Sequence, residues 1–165
     1  MQAIIDEAKR MGATHAVEIS PRDVVTARWV RLKCRYGCPG YGRSLTCPPH
    51  SPTPEETAAI LGEYRSAVLV HRRGDWPDCM DQMISLERFA FLRGYHKAFG
   101  FSCGPCRLCE ECDTKKPCAH PDRVRPSMEA CGIDVFETAS RAGLPIDVAT
   151  ERSDIPDYYA LLLVE

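Results

Sequence analysis

Ile4, Ile5, Ala8 and Met11 recur at helical spacing, with Asp6, Glu7, Lys9 and Arg10 between them. That amphipathic pattern predicts a helix over residues 2–11, closed by Gly12, with a short strand following at 14–19. Residues 24–33 fit neither period cleanly, although their Val, Thr and Trp lean toward strand. From there to Ser51 the density of Gly and Pro predicts a loop without regular structure. Thr53 as cap, Pro54 at the first helical position and Glu56 spell a capping box, so a helix begins here and runs to Gly62. The short, Val-rich run 66–71 reads as a buried strand.

A turn at Gly74 and Pro77 precedes what the pattern makes the longest helix. Met80, Ile84, Phe91, Tyr95 and Phe99 carry it over 78–99, with Gly100 as its C-cap. A second loop follows, then a helix over 127–142 ended by Gly143 and Pro145. Strands at 145–149 and 158–164, joined by a polar turn, complete the reading. The expected fold is α/β or α+β: a small sheet flanked by helices, with two cysteine-rich metal loops, 34–51 and 103–120, packed at one end. All 165 residues form one expected domain, large enough to bury roughly 70% of its unfolded surface.

Cysteine usage changes the picture most. Eight of the ten cysteines fall in CRYGCPGYGRSLTC and CGPCRLCEECDTKKPC. Eight thiolates are what two four-cysteine centres need. No stretch reads as a secretion signal and no apolar run approaches the ~20 residues of a membrane span. A cytoplasmic, reducing location is expected, where crowded thiols hold metal rather than form disulfides.

Net charge is −2, but 24–54 holds no Asp or Glu while Arg28, Arg31, Lys33, Arg35 and Arg43 all fall there. The arginines interleave with the cysteines, as compensation for an anionic cluster requires. No aromatic stacking pattern of RNA modules accompanies them, so nucleic acid is disfavoured as a partner.

Cys103, Cys106, Cys109 and Cys112 make three successive C-x-x-C units, and Cys118 follows six residues on. Such spacing lets one tight loop point several sulfurs inward while backbone N–H groups donate to them, which suits a 4Fe–4S cube. The run is similar to that of bacterial ferredoxins, though its fourth cysteine follows after two residues and lacks the trailing proline. Zinc held by paired C-x-x-C units is the alternative.

Cys34, Cys38 and Cys47 supply only three ligands to a second centre. Its fourth is Cys103, Cys131 or an open iron position. Cys79, far from both clusters in sequence, reads as a plain half-buried thiol. His50, His96 and His120 read as solvent-facing or hydrogen-bonded, and Glu110 and Glu111 as solvated. Radical-SAM spacing, a Ser-His-Asp triad, a phosphate-cradling loop and a dinucleotide fingerprint are all missing.

Three stretches, KCRYGCPGYGRSLTCPPHSPTPEET, LRGYHKAFGFSCGPCRLCEEC and PCAHPDRVRPSMEACGIDVFETASRAGL, resemble a prokaryotic family of cysteine-rich predicted metal-binding proteins of unknown function. The likeness spans nearly the whole chain. It implies metal binding through Cys34, Cys38, Cys47, Cys106, Cys109, Cys112 and Cys118; Cys103 lies where the pattern often has a small residue. The family's wide occurrence in anaerobes implies oxygen-sensitive centres. Three functions follow as expectations. The first is an iron–sulfur protein with one or two 4Fe–4S clusters that transfers electrons with a redox protein partner. The others are a zinc-stabilised binding module for an anionic partner and a small enzyme with an open iron site.

Overall fold

The computed structural model describes residues 1–151 and 153–165. Its frame is a four-stranded sheet in the order β1-β2-β4-β3, built from β1 His15–Ile19, β2 Ala67–Arg73, β3 Phe99–Phe101 and β4 Asp157–Leu163. Every neighbouring pair is antiparallel. With helices on both faces, the architecture is the α+β form of the expected fold.

Alternate residues of the central strands feed two cores. On one face, Ile4 and Ala8 of α1 (Gln2–Arg10) and Met83, Leu86 and Ala90 of α4 (Cys79–Phe91) pack on Val68, Val70, Ala160 and Leu162. On the other, Leu61 of α3 (Pro54–Leu61), Ala139 of α5 (Val135–Arg141) and Met128, Cys131 and Ile133 pack on Leu69, Phe101, Leu161 and Leu163. Burial on both sides is why β2 and β4 read as apolar runs rather than as alternations. The buried His71 is satisfied within this sheet: Nε2 lies 2.8 Å from Asp157 Oδ1 and Nδ1 lies 2.9 Å from His15 Nδ1.

The N-terminal helix with its Gly12 stop, the strand at 66–71 and the capped helix at 54 are present. Both arms of the Thr53–Glu56 capping box form, at 3.1 and 2.7 Å. Several expectations need correction. Residues 24–33 form no strand; Thr26 makes a lone bridge to Ile133, and α2 (Arg28–Gly37) follows. Val30 is the one buried residue of α2, while Trp29, Leu32 and Tyr36 face outward, so there is no buried stripe for periodicity to report. The first cysteine segment is therefore not loop throughout, because Cys34 sits in the last turn of α2.

The helix expected over 78–99 stops at Phe91. Gly94 takes φ 96° and the chain folds back. Tyr95 still packs on the same core from that turn, which is how it imitates another helical position. Phe99–Phe101 becomes an edge strand, and Gly100 is a strand residue rather than a cap. A Cβ on Gly100 would lie 3.4 Å from the Met83 carbonyl oxygen, so its smallness sets how closely β3 approaches α4.

The helix expected over 127–142 is broken in two. A 3₁₀ turn, Glu129–Cys131, ends at Gly132 with φ 76°, and Asp134 caps α5 by accepting the Glu137 N–H at 3.0 Å. Residues 145–149 form no strand. The Tyr159 hydroxyl donates to the Pro145 carbonyl, and Asp154 Oδ2 accepts the N–H groups of Thr150 and Glu151 at 2.7 and 2.9 Å. Position 152, within the expected polar turn, lies outside the described residues. Among the described residues no helix is long and apolar enough to cross a membrane.

Candidate metal centre

The first cysteine group begins on a helix end. Cys34 lies in the last turn of α2, and Cys38 caps it. The chain then doubles back: the Cys47 N–H donates to the Ser44 carbonyl at 3.0 Å and the Gly42 N–H to that of Pro48 at 2.8 Å. Gly40 sits between two sulfurs. A Cβ there would lie 3.5 Å from Cys38 Sγ and 3.8 Å from Cys47 Sγ, so glycine leaves the space beside both thiols open.

Residues 127–132 are clamped against this loop. The Ser51 hydroxyl donates to the Ala130 carbonyl, the Thr57 hydroxyl donates to that of Cys131 at 2.7 Å, and Arg31 Nη2 donates to the carbonyls of Ser51 and Pro52. The Cys34 thiol faces the Glu129 carbonyl at 4.0 Å. These ties bring the fully buried Cys131 beside Cys34 and Cys47.

Crowding and burial act together on these thiols. Burial pushes Cys34 up, Cys38 adds to the effect, and the Arg31 guanidinium opposes it. Burial pushes Cys47 up as well, with Cys38 again adding and a hydrogen bond from Thr46 opposing. Cys131 is pushed up to about 12, chiefly by burial. Such sulfurs keep their protons until a cation replaces them.

The second group lies across a cavity from the first loop. Cys106, Cys109, Cys112 and Cys118 all line a space of 780 Å³ whose opposite wall is residues 42–46. The two cysteine loops thus pack together at one end, as expected. Arg43, Glu110, Glu111 and His120 also line this space, so one cation and two carboxylates border it together with the thiols. Burial raises Cys106, and the Leu108 N–H bonded to its sulfur opposes the shift. Cys106 also lies near enough to Cys47 to raise it, so the two groups are neighbours.

One backbone device recurs in both loops. The amide two residues beyond a cysteine donates to its sulfur: Gly40 to Cys38 at 3.4 Å and His120 to Cys118 at 3.4 Å. N–H donors of this kind favour the thiolate over the thiol and tune any metal bound to it. Among the described residues no three Cys, His, Asp or Glu donors close on a single metal ion. The sulfurs instead line the wall of a wider space.

Cys34, Cys38 and Cys47 are brought together, as are Cys106, Cys109, Cys112 and Cys118. Cys103 stands apart, its N–H donating to Cys79 Sγ at 3.1 Å. Cys79 is fully buried rather than half-buried, and it adjoins the second loop. Cys131 takes the place beside the first group for which Cys103 also stood as a candidate. His50 borders a largely apolar pocket of 490 Å³ that shares Cys118 with the thiol-lined cavity. Sequence spacing carries no signal for the Cys79–Cys103 contact, because it depends on α4 ending early and β3 folding back along it.

Fold and site define an α+β protein with two neighbouring groups of cysteine thiols held at one end of an antiparallel sheet. The chain belongs to the family described as "Predicted metal-binding protein (DUF2284)", whose model matches residues 17–164. Comparisons with curated proteins and with solved structures find no match.

Proposed function

We propose that the protein binds one or two 4Fe–4S clusters and exchanges single electrons with a partner redox protein. The observation that carries this reading is the cavity wall bearing Cys106, Cys109, Cys112 and Cys118 together. Its volume of 780 Å³ has room for a cluster of several atoms rather than one ion. The donor set is all thiol, the chemistry iron–sulfur clusters require. A cube held there supplies one-electron transfer at a potential set by hydrogen bonds to sulfur, local charge and exposure.

The chain's own groups provide those settings. His120 donates its N–H to sulfur on the second loop, and Gly40 does so on the first. Arg43 brings a positive charge to the cavity wall, and Arg31 to the side of Cys34 and Cys131. Cys34, Cys38 and Cys47, with Cys131 as fourth thiol, form the second binding group. Exposed Cys109 and Cys38 place an edge of each group at the surface, where a partner can approach.

The outer face of α2 suits that approach. Trp29, Leu32 and Tyr36 are 48, 58 and 76% exposed at i, i+3 and i+7, and Arg28, Lys33 and Arg35 flank them. An apolar and basic face beside Cys34 matches an acidic protein surface.

Anoxic purification with iron, acid-labile sulfide and zinc measured per chain tests the reading. A brown protein with matching iron and sulfide and a paramagnetic signal on reduction is expected. Cys109→Ser should lose one centre's iron, whereas Cys79→Ser should leave metal content unchanged. A colourless, zinc-containing protein, or equal loss in both variants, would overturn the proposal.

A further inference from the structure

Two cysteines stand outside both groups yet lie beside each other. Cys79 opens α4 and is 1% exposed, while Cys103 follows β3 and is partly exposed. The Cys103 N–H donates to Cys79 Sγ at 3.1 Å. Since an amide nitrogen lies ~1.46 Å from its own Cα, that contact puts the Cys103 Cα within roughly 4.6 Å of the Cys79 sulfur. Both side chains line a cavity of 570 Å³ together with Trp76, Met80, Arg107 and Tyr158. The pair is therefore close and reachable from solvent through Cys103.

We propose that Cys79 and Cys103 form a reversible disulfide by exchange with a low-molecular-weight disulfide. Cys103, as thiolate, attacks one sulfur of the small disulfide; that S–S bond breaks, a small thiolate leaves, and a mixed disulfide remains on Cys103. Cys79 then attacks the Cys103 sulfur and displaces the second small thiolate. The protons lost by the two cysteines end on the two released thiols. The protein pair is oxidised by two electrons and the small disulfide is reduced by two.

The order of the steps follows from the site. Contact with Cys103 and then burial push the Cys79 thiol far above its ordinary range; Cys79 is buried and Cys103 partly exposed, so Cys103 reacts first and the buried thiol resolves. The Cys103 N–H already points at the Cys79 sulfur, where it steadies negative charge as that thiol ionises. The bond would tie the first turn of α4 to the residue three positions ahead of Cys106. The loop that carries the second thiol group would then be anchored at its root.

The test uses protein purified without air and incubated with oxidised glutathione. Free thiols are then alkylated, the chain is digested without reductant, and linked peptides are identified by mass spectrometry. The expected product joins Cys79 to Cys103, is lighter by the two thiol hydrogens, reverts with dithiothreitol, and leaves iron and sulfide content unchanged. Cys79→Ser should stop at a glutathione adduct on Cys103, and Cys103→Ser should leave Cys79 reduced. A persistent adduct on Cys103 of the unaltered chain, or Cys103 linked to Cys106 instead, would overturn the assignment. Metal content is read separately, so a zinc protein that forms the bond would refute the iron–sulfur reading and not this one.

Discussion

Replacing Gly132 with alanine drives a methyl group into the first turn of α3. A Cβ at this position would lie 2.4 Å from Pro54 Cγ, 2.9 Å from its Cβ and 3.1 Å from its Cα. Pro54 cannot swing aside as a long side chain would. It is a ring inside a helix start fixed by the Thr53–Glu56 box. The overlap costs about 1–3 kcal/mol as overpacking, and the backbone φ of 76° adds about 1–2 kcal/mol for any residue with a side chain. Their sum, about 2–5 kcal/mol, is a large share of the roughly 5–15 kcal/mol that keeps a domain folded. Gly143 provides the control: its φ is 68°, but a Cβ there meets nothing within 4 Å. Gly143→Ala therefore incurs only the backbone cost, about 1–2 kcal/mol. With a urea slope of about 2 kcal/mol/M for a chain of this size, Gly132→Ala should lower the midpoint by about 1–2.5 M and Gly143→Ala by no more than about 1 M. Far-UV circular dichroism of anoxically prepared protein reads both. Equal shifts would refute the claim that contact with Pro54, rather than backbone handedness, makes position 132 intolerant.

Two more expectations come from Glu87 and Cys131. Glu87 receives Arg125 at 2.7 and 2.6 Å and the Gly100 N–H at 2.9 Å, with the two side chains only 17 and 13% exposed. Glu87→Ala leaves both donors unpaired and should cost on the order of 2–4 kcal/mol in thermal unfolding; a loss under about 0.5 kcal/mol would show that the clamp contributes nothing. For metal-free protein, Cys131 stays protonated in the fold up to about 12, whereas its ordinary value is 9.0. The unfolded chain ionises first, so this stabilisation is whole below pH 9.0 and lost as pH rises toward about 12, by on the order of 1.4 kcal/mol per pH unit. Cys131→Ala should flatten the alkaline fall measured by denaturant titration across that range, and an unchanged slope would sink the assignment.

Legibility in the sequence followed the locality of each cause. The Thr53-Pro54-Glu56 start was readable because every atom it uses lies within four residues. The run 66–71 was readable because burial on both faces leaves only apolar residues there. Cys106, Cys109, Cys112 and Cys118 announced themselves through spacing a single loop can satisfy. What stayed hidden depended on distant packing. α2 buries one residue, so hydrophobic period could not separate it from strand. Tyr95 kept helical spacing while standing in a turn, and Gly132 split a helix for the sake of Pro54, which lies far away along the chain. The approach of Cys131 to Cys34 rests on hydroxyl clamps from Ser51 and Thr57, and nothing in local spacing encodes them.

The position of β4 carries a consequence for assembly. It lies inside the sheet, bridging β2 and β3, yet every cysteine precedes it in the chain. During synthesis all ten cysteines leave the ribosome before the sheet that positions them can close. Each nascent molecule therefore passes through an interval in which its thiols are present but the sheet beneath them is still open.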